Sequence, residues 1–486
     1  MDPAQVEVSD EQTPLLVTGG PSKKLPKFPV FQFSVLVLVQ LCEPLSSQVI
    51  YPFIPQLVSE LPVTGGDHTK VGYYAGLIES LFFATEAVTI LFWSRTSDVI
   101  GRKPTLLIGS AGLCASMLFF GLSRTFWTLV ISRCLCGALN GNIGVSKTVV
   151  GELLRTPAHR AQGFAFMPVT WAMGASLGPL MGGHLARPHD RWPTVFAAQF
   201  WIDYPYFLPC AIPAAITAAC IGFNLAFLQE TNKAAVGKWK KLVPWLKNQE
   251  PPSSTTIPKK PEQPQIPLRD ILTPRVVRAV TNYGCLASID IMLAALRPLF
   301  LAQPIEYGGL GMEPATIGTI MGTYGLICGL LQVFLFSPAV QRFGARNVFV
   351  TCAAAYIPVF AFYPLQNMAA RKAGEITPLI WALIAVQHLF ACIADGSFGC
   401  VSLFVNASAP TPTSLGATHG LAQTTASITR AIGPAIASSL FSLSVEHNIL
   451  GGYAIFGLLA IWSLVLVRLG MLYPRELWTG DEEDED

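Results

Sequence analysis

The chain has 486 residues, of which 51% are hydrophobic and 13% are charged, and its mean hydropathy is +0.47. A soluble globular chain carries roughly a quarter charged residues, so this composition excludes an ordinary soluble domain and indicates a polytopic protein of the lipid bilayer. The formal net charge is +2 and no basic block is interleaved with aromatic residues, which excludes nucleic acid as a partner.

Long apolar runs bounded by Pro, Gly and charged residues predict twelve membrane-spanning helices. Their expected ranges are 33–57, 71–94, 105–123, 126–150, 160–185, 205–228, 276–303, 313–338, 347–367, 377–406, 415–445 and 450–472. The N-terminus lacks the apolar core and cleavage site of a secretory signal peptide, so we expect no cleaved leader. The predicted organisation is a cytoplasmic N-tail at 1–32, an N-terminal six-helix half at 33–228, a flexible cytoplasmic linker at 229–275, a C-terminal six-helix half at 276–472 and an acidic cytoplasmic C-tail at 473–486.

The distribution of basic residues predicts the orientation of these helices. Counted with the flanking helix ends, twenty-two Lys and Arg residues fall on the side of the N-terminus and six on the other side. Without the long linker, which counts less, the ratio is still twelve to six. Cytoplasmic loops retain basic residues, so both termini are predicted to be cytoplasmic.

Several kinds of chemistry are excluded by the motifs that the sequence lacks. The eleven cysteines all fall inside apolar runs, which predicts buried thiols and no disulfide framework. No C-x-x-C pair and no zinc-spaced histidine occurs, so we expect no metal site and no cofactor. The absence of H-E-x-x-H and of a Walker pattern argues against an enzyme and against an ATP-driven pump. Any transport by this chain would therefore draw on an ion gradient.

An internal repeat relates the two halves. Four residues after helix 2 align with four residues after helix 8 at a constant offset of 243 residues. They are Ser94, Asp98, Gly101 and Lys103, matched by Ser337, Gln341, Gly344 and Arg346. A duplication of six helices is the simplest cause, and two parallel six-helix halves around a midplane site are a known transporter architecture.

The loop after helix 2 carries the densest charged motif, S-R-T-S-D-V-I-G-R-K-P at 94–104. Gly101 permits a tight turn. Asp98 is expected to cap a neighbouring helix N-terminus, and Arg102 to pair with an acid such as Glu152. The alternative is a plain basic loop that only fixes topology.

Helix 5 carries G-x-x-x-G-P-x-x-G-G between Gly174 and Gly183. Small residues four apart let helix backbones touch, and Pro179 frees a carbonyl and bends the helix. We therefore expect this face to pack closely and to flex. Helix 4 places Arg133, Asn140 and Lys147 seven residues apart, so we expect them to project from nearly one face and to form a polar stripe through the membrane.

These patterns resemble the major facilitator superfamily, and more closely its fungal drug:proton antiporter group, similar to zinc-induced-facilitator-like transporters. The closer resemblance rests on Glu43-Pro44, on the segments 140–144 and 160–164, and on 417–425. It implies an all-α fold of two pseudo-symmetric six-helix halves and a proton-coupled antiporter that exports or sequesters a small organic molecule by alternating access. It also implies a gating loop at Asp98, Gly101, Arg102, Lys103 and Glu152, an antiporter motif at Gly174, Gly178, Pro179, Gly182 and Gly183, and a role for Arg133 near the proton path.

Charged residues inside the spans are the expected coupling groups. A charge near the bilayer centre costs at least ~2.5–3.5 kcal/mol, so such residues face the bundle interior or an aqueous cavity. Glu43 and Asp290 lie near mid-span in the first helix of each half, and Glu79 lies in helix 2. Burial favours the protonated carboxyl group, so these three acids are the proton-coupling candidates. The alternative is a structural ion pair, such as Glu79 or Glu86 with Arg133.

The substrate pocket is expected to combine polar and aromatic side chains. The candidates are Asn140, Tyr51, Trp171 and His388, and Phe53 and Tyr283 are further aromatic residues that suit a planar or cationic substrate. A satisfied structural histidine is the alternative for His388. Asp395 and Arg430 are expected to be structural partners rather than substrate ligands.

Two questions stay open at the level of sequence. A proton-coupled uptake symporter and a non-transporting sensor on the same scaffold are the alternatives to antiport. The tail segment 11–16 has the spacing of an acidic dileucine sorting signal, which predicts a vacuolar or endosomal membrane if it is read and the plasma membrane if it is not. The chain is expected to act as a monomer on protons and a small-molecule substrate.

Overall fold

The computed structural model describes residues 28–154, 156–232, 268–411 and 414–478. Within these ranges every regular element is helical and no strand occurs. The predictions for the N-tail up to residue 27, for linker residues 233–267 and for the C-tail beyond residue 478 lie outside the described residues.

Thirteen helices of twelve or more residues form the described part of the molecule. They are α1 (Val30–Gln48), α2 (Val71–Ile100), α3 (Arg102–Gly121), α4 (Phe126–Leu139), α5 (Asn142–Leu153), α6 (Pro157–Leu185), α7 (Phe207–Phe227), α8 (Pro274–Ala302), α9 (Pro314–Phe343), α10 (Ala345–Ala373), α11 (Pro378–Ser408), α12 (Leu415–Glu446) and α13 (Ala454–Met471). Shorter helices at Ile54–Ser59, Pro188–Arg191, Gln199–Asp203 and Leu268–Ile271 lie in the connections.

Nine of these helices in the described ranges, namely α1, α3, α7 and α8–α13, are long and apolar enough to cross a membrane. Helix α2 raises the number to ten if its 46° bend between Ile90 and Phe92 lies within one span. Helices suit this solvent because each satisfies its own backbone hydrogen bonds where no water is available. The described part of the chain is therefore all-helical, and its candidate spans are those of a multi-pass membrane protein.

The predicted fourth span is broken rather than continuous. Helix α4 ends at Leu139 and α5 begins at Asn142, because Asn140 has ψ 76° and leaves the helical region. The Trp93 indole Nε1 donates to the Ala138 carbonyl over 2.7 Å, and so occupies an acceptor at the end of α4. The prediction that Arg133, Asn140 and Lys147 share one face of an unbroken helix is wrong for this reason.

The predicted first span ends earlier than expected. Helix α1 stops at Gln48, and the chain turns through residues 49–53 before the short helix Ile54–Ser59. Pro52 and Pro55 lack the backbone N–H that a continuous helix to residue 57 would need.

Two helix pairs join the N-terminal helices α1–α7 to the C-terminal helices α8–α13: α2 packs on α12, and α6 packs on α9. Glycines permit both contacts. A Cβ added at Gly76 would lie 2.6 Å from the Pro434 carbonyl oxygen, and one at Gly322 would lie 2.8 Å from that of Ser176. We call the end of the bundle that carries residues 98–103 the gate face, and the other end the opposite face.

The hydrogen bonds that we describe between the two helix sets lie toward the opposite face. In the described ranges they join His68 to Gln303, Tyr73 to Glu446, Ser80 to Ala435, Ser176 to Gly322 and His184 to Thr319. On α2 the last of these residues is Ser80, twenty residues before the helix ends at the gate face.

Candidate gate and coupling site

Arg102, the first residue of α3, is bonded to acids from two other helices. Its Nη1 lies 2.6 Å from Asp98 Oδ1 at the end of α2, and its Nη2 lies 3.0 Å from Glu152 Oε1 on α5. Gly101 connects α2 to α3 with φ 110°, a conformation that residues with a Cβ avoid. The Arg102 side chain is only 10% exposed, so these bonds form in a partly desolvated site.

Glu230, which follows α7, occupies the N-terminus of α3. Its two carboxylate oxygens accept the backbone N–H groups of Arg102 over 2.9 Å and Lys103 over 3.0 Å. A carboxylate at this position satisfies free amides and complements the helix dipole. The expectation that Asp98 caps a helix is therefore wrong: Asp98 binds the Arg102 side chain, and Glu230 is the capping acid.

The two residues after Glu230 are bonded to the same loop. Thr231 Oγ1 donates to Glu152 Oε2 over 2.5 Å, and Asn232 Nδ2 donates to the Asp98 carbonyl over 2.9 Å. We call Glu230–Asn232 the strap. Sequence reasoning missed it because no local spacing relates a residue after α7 to a loop that lies about 130 positions earlier.

The corresponding junction between α9 and α10 is built in the same way. Gly344 adopts φ 77° between the two helices, as Gly101 does between α2 and α3. Arg346 Nη2 donates to the Met471 carbonyl at the end of α13, over 2.6 Å. Lys103 Nζ donates likewise to the Leu225 carbonyl near the end of α7, over 2.9 Å.

The glycine motif at 174–183 lies in α6, and three of its glycines pack against α1. A Cβ added at Gly174 would lie 2.5 Å from Pro44 Cβ, and one at Gly178 would lie 2.8 Å from Gln48 Cβ. Gly182 abuts the Val49 carbonyl just beyond the end of α1. Backbone contact of this kind leaves no room for a larger side chain.

The fourth glycine of the motif faces the other helix set. A Cβ at Gly183 would lie 2.9 Å from Gly318 Cα on α9, and Gly318 in turn abuts the Pro179 carbonyl. The motif thus packs α6 on a helix of its own set and on a helix of the other set. Motion of one set relative to the other must change this contact.

A central cluster brings polar residues from four helices together. Asn140 Nδ2 donates to Glu86 Oε1 over 3.1 Å, and Asn140 also acts on Glu43. Arg430 on α12 acts electrostatically on both acids, and Lys147 acts on Glu43. A cation of the C-terminal helices therefore lies in the field of acids from the N-terminal helices.

Arg133 on α4 is buried between aromatic rings. Its Cζ lies 4.8 Å from the Phe120 ring centroid and 5.8 Å from that of Phe82, so ring faces take part in holding the cation. No ion pair with Glu79 or Glu86 is present among the described residues. The alternative of a structural ion pair is therefore wrong for this conformation, although Arg133 acts on Glu79 through space.

The C-terminal helices hold a second polar group. Asp395 on α11 accepts hydrogen bonds from the Tyr324 hydroxyl over 2.5 Å and from Cys328 Sγ over 3.0 Å. The Arg297 guanidinium lies 4.0 Å from the centroid of the Tyr324 ring. The His388 ring centroid lies 5.4 Å from the same Tyr324 centroid, and the two ring planes meet at 75°. His388 Nδ1 is bonded to a carbonyl of its own helix, while its Nε2 has no partner among the described residues.

Asp290 on α8 connects this group to the central cluster. It lies in the electrostatic field of Arg297, Arg430 and Asp395. Arg430 therefore acts on acids of both helix sets. The expected partnership of Asp395 with Arg430 is not seen, because Tyr324 and Cys328 take the Asp395 carboxylate instead.

The aromatic candidates occupy different environments. Tyr51 is buried, with Glu79 and Asp290 acting on it from the two helix sets. Trp171 is 44% exposed. Phe53 is fully buried and stacks on Tyr206, so it belongs to the packing at the opposite face rather than to a central pocket.

Comparison with known proteins gives one consistent result. The family model described as Major Facilitator Superfamily matches residues 36–309. The multidrug transporter mfsB of Aspergillus fumigatus is 29% identical, with 90% of this chain and 82% of that protein covered. Zinc induced facilitator-like 1 of Arabidopsis thaliana is 26% identical over 87% of this chain and 86% of that protein. Among solved structures, a bacterial homologue of the human lysosomal transporter Spinster, in an inward-facing and unoccupied conformation, superposes with a TM-score of 0.64. The match covers 92% of this chain and 98% of that chain at 13% sequence identity.

Proposed function

Because the chain belongs to the Major Facilitator Superfamily, we propose that this membrane transporter is a proton-coupled antiporter that exports or sequesters a small organic molecule. The proposal includes an alternating-access mechanism, in which the two helix sets open in turn to the two sides of the membrane. The names of relatives such as mfsB, a multidrug transporter, and the efflux pump azaK of Aspergillus niger support export.

The proposed topology has twelve spans and two cytoplasmic termini. To the nine qualifying helices it adds α2, α6 and the broken pair α4–α5. The positive-inside count of the sequence supports a cytoplasmic gate face. The matching glycine turns at Gly101 and Gly344 support two duplicated halves, at 33–228 and 276–472.

The observation that carries the proposal is the position of Arg430. This cation of the C-terminal helices acts on Glu43 and Glu86 of the N-terminal helices, and on Asp290 of its own set. Protonation of Glu43 or Glu86 changes the attraction between the sets, and movement of the sets changes the environment of both acids. Protonation of Asp290 changes the charge that surrounds Arg430 within its own set. Proton binding and conformation are linked in this way, as antiport requires.

The gate supports the same proposal. Contacts between the helix sets concentrate toward the opposite face, which corresponds to an inward-open state if the gate face is cytoplasmic. Closure of the gate face would bring the loop at Asp98 and Arg102 toward the C-terminal helices. The strap holds this loop from the side of its own set, through Glu230.

The test is gradient-driven accumulation in proteoliposomes, with the planar cation ethidium as the first probe. Antiport predicts accumulation when the interior is acidic, because protons leaving the vesicle drive the probe inward. Uptake symport predicts accumulation only when the interior is alkaline. A non-transporting sensor accumulates no substrate under either gradient.

Ethidium need not be the natural cargo, so the same gradients are to be tested with further compounds. These come from an untargeted metabolite comparison of cells with and without the protein. If no compound enriched or depleted in that comparison accumulates under an acidic interior, the antiport proposal fails. We propose a monomer as the transporting unit, in a vacuolar or endosomal membrane or the plasma membrane.

A further inference from the structure

The connection between α6 and α7 is a chain of aromatic rings. Residues 192–207 contain seven aromatic residues in sixteen positions. Neighbouring rings lie in edge-on contact: Phe196 and Trp201 have centroids 4.9 Å apart, and Phe200 lies 5.1 Å from Phe207 in the first turn of α7. The rings therefore form one continuous layer that ends on a membrane helix.

This layer is not covered by the rest of the molecule. Val195 is 75% exposed and Ile202 is 48% exposed, and Trp192 and Phe200 are exposed beside them. A soluble loop with this composition would bury its rings, because exposed apolar area of this kind is unfavourable in water.

The duplicated plan of the molecule does not require such a layer. The connection between α12 and α13, in the same position of the C-terminal helices, has seven residues, 447–453. The connection between α6 and α7 has twenty-one, 186–206. The aromatic segment is thus an addition specific to the N-terminal helices.

Apart from Asp203, the charges around the segment lie outside residues 192–207, and most of these charges are paired. Arg124 lies 4.2 Å from the Tyr204 ring centroid and 3.3 Å from Asp203. Arg187 pairs with Asp190 over 2.6 Å, and the Arg191 guanidinium donates to a carbonyl of α6. Exposed rings bordered by arginines match the headgroup layer, where rings meet acyl chains and guanidinium groups meet phosphates.

We propose that residues 192–207 lie in the headgroup layer of the bilayer at the opposite face and anchor the adjacent ends of α6 and α7. The occupant of the exposed face is lipid, because the layer is continuous through Phe207 with a helix apolar enough to span the membrane. The anchor fixes the depth of the end of α6 that carries Gly182 and Gly183.

Tryptophan quenching in nanodiscs of stated lipid tests this proposal. The full chain is placed in phosphatidylcholine brominated at acyl positions 6,7 or 11,12, and its spectra are compared with those of a Trp192→Phe/Trp201→Phe variant. The difference reports on the two tryptophans alone. We expect stronger quenching by the shallow 6,7 bromines than by the deep 11,12 bromines, and little quenching by aqueous iodide.

Two other outcomes overturn the proposal. Quenching by iodide without quenching by brominated lipid places the rings in water. Quenching by neither, with a dimeric mass by light scattering, places a second copy over the rings.

A matched pair of variants keeps the test independent of folding. Val195→Glu puts a charge into the exposed apolar layer, while Thr194→Glu adds the same charge at a neighbouring exposed polar residue. Val195→Glu should lose at least about half of the lipid quenching, because a carboxylate is driven out of the acyl region, and Thr194→Glu should retain it. Equal quenching in the two monodisperse variants contradicts the anchor.

Discussion

At the scale of the residue, the free-energy cost of burying a charge indicates which side chains serve a function beyond packing. A charge near the centre of a bilayer costs at least ~2.5–3.5 kcal/mol, yet Glu43, Glu86 and Arg133 are all buried within helices. Arg133 is held by ring faces, and Glu86 by an amide. Because no direct ion pair among the described residues holds Glu43 or Glu86 in the charged form, either carboxyl group can take up a proton at a small cost in free energy. This property fits a role in proton coupling.

Neutral substitutions in the coupling acids test this role. Glu43→Gln and Asp290→Asn should each lower the ethidium accumulation ratio under an acidic interior to about one, while substrate-for-substrate exchange persists, because binding remains and linkage to the proton is lost. Exchange and net accumulation are measured in the same vesicles. Glu375→Gln, at an exposed position between α10 and α11, is the matched control. Full pH-dependent accumulation in both acid variants contradicts the assignment.

The cap at the N-terminus of α3 gives a second residue-scale prediction. Glu230→Gln keeps one carbonyl acceptor but loses the charge that faces two helix N–H groups, which should weaken the strap by about 0.5–2 kcal/mol. We expect turnover to change several-fold with the ethidium KM nearly constant, because the hydrogen bonds that we describe for the strap go to the gate loop and to Glu152 rather than to the central acids. A large change of KM at normal turnover would show that Glu230 acts on the substrate site.

At the scale of the element, the gate loop works as a junction of three helices. Arg102 joins the end of α2 to α5, so a change at this residue alters how α2, α3 and α5 move together. Arg102→Gln and Asp98→Asn should therefore change turnover and leave substrate affinity nearly constant. Lys70→Gln, at the opposite end of α2, provides the control for loss of a charge. Normal turnover with lost affinity in the Arg102 variant would refute the gating role.

Helix α6 provides the other prediction at this scale. Leucine at Gly178 would force its side chain into Gln48 and the Leu45 carbonyl of α1, so overpacking should cost about 1–3 kcal/mol and abolish transport. Gly222→Leu on α7 is the control, because an added Cβ there meets nothing within 4 Å among the described residues. Thermal unfolding in detergent and transport are both measured. Equal behaviour of the two variants removes the packing argument.

At the scale of the whole molecule, the membrane of residence decides whether the proposed antiport loads cargo into an internal compartment or exports it from the cell. The acidic dileucine pattern at 11–16 requires a cytoplasmic tail, as the basic-residue count predicts, although this segment lies outside the described residues. Leu15→Ala with Leu16→Ala should move a fluorescently tagged protein from internal membranes to the cell surface. An unchanged distribution under microscopy rejects the sorting role and leaves the transporter assignment intact. Glu7→Gln, outside the pattern, is the control.

The sequence by itself determined the class of this molecule, because hydropathy, charge and glycine spacing are local properties. The apolar runs predict an all-helical membrane protein, and the family match confirms the superfamily. The pairing of Arg102 with Glu152 also follows from motif chemistry, and the two residues lie 3.0 Å apart. Their role in gating stays a prediction.

The tertiary structure decided every relation between distant segments. Next to the break at Asn140, the Ala138 carbonyl accepts a hydrogen bond from Trp93 of another helix, and the cap of α3 comes from Glu230, which lies beyond α7. The field of Arg430 on α12 reaches Glu86 on α2 because these two helices pack together. Sequence spacing describes one face of one helix, whereas hydrogen bonds and Coulomb interactions depend on distance in space, and that distance is fixed by how the helices pack.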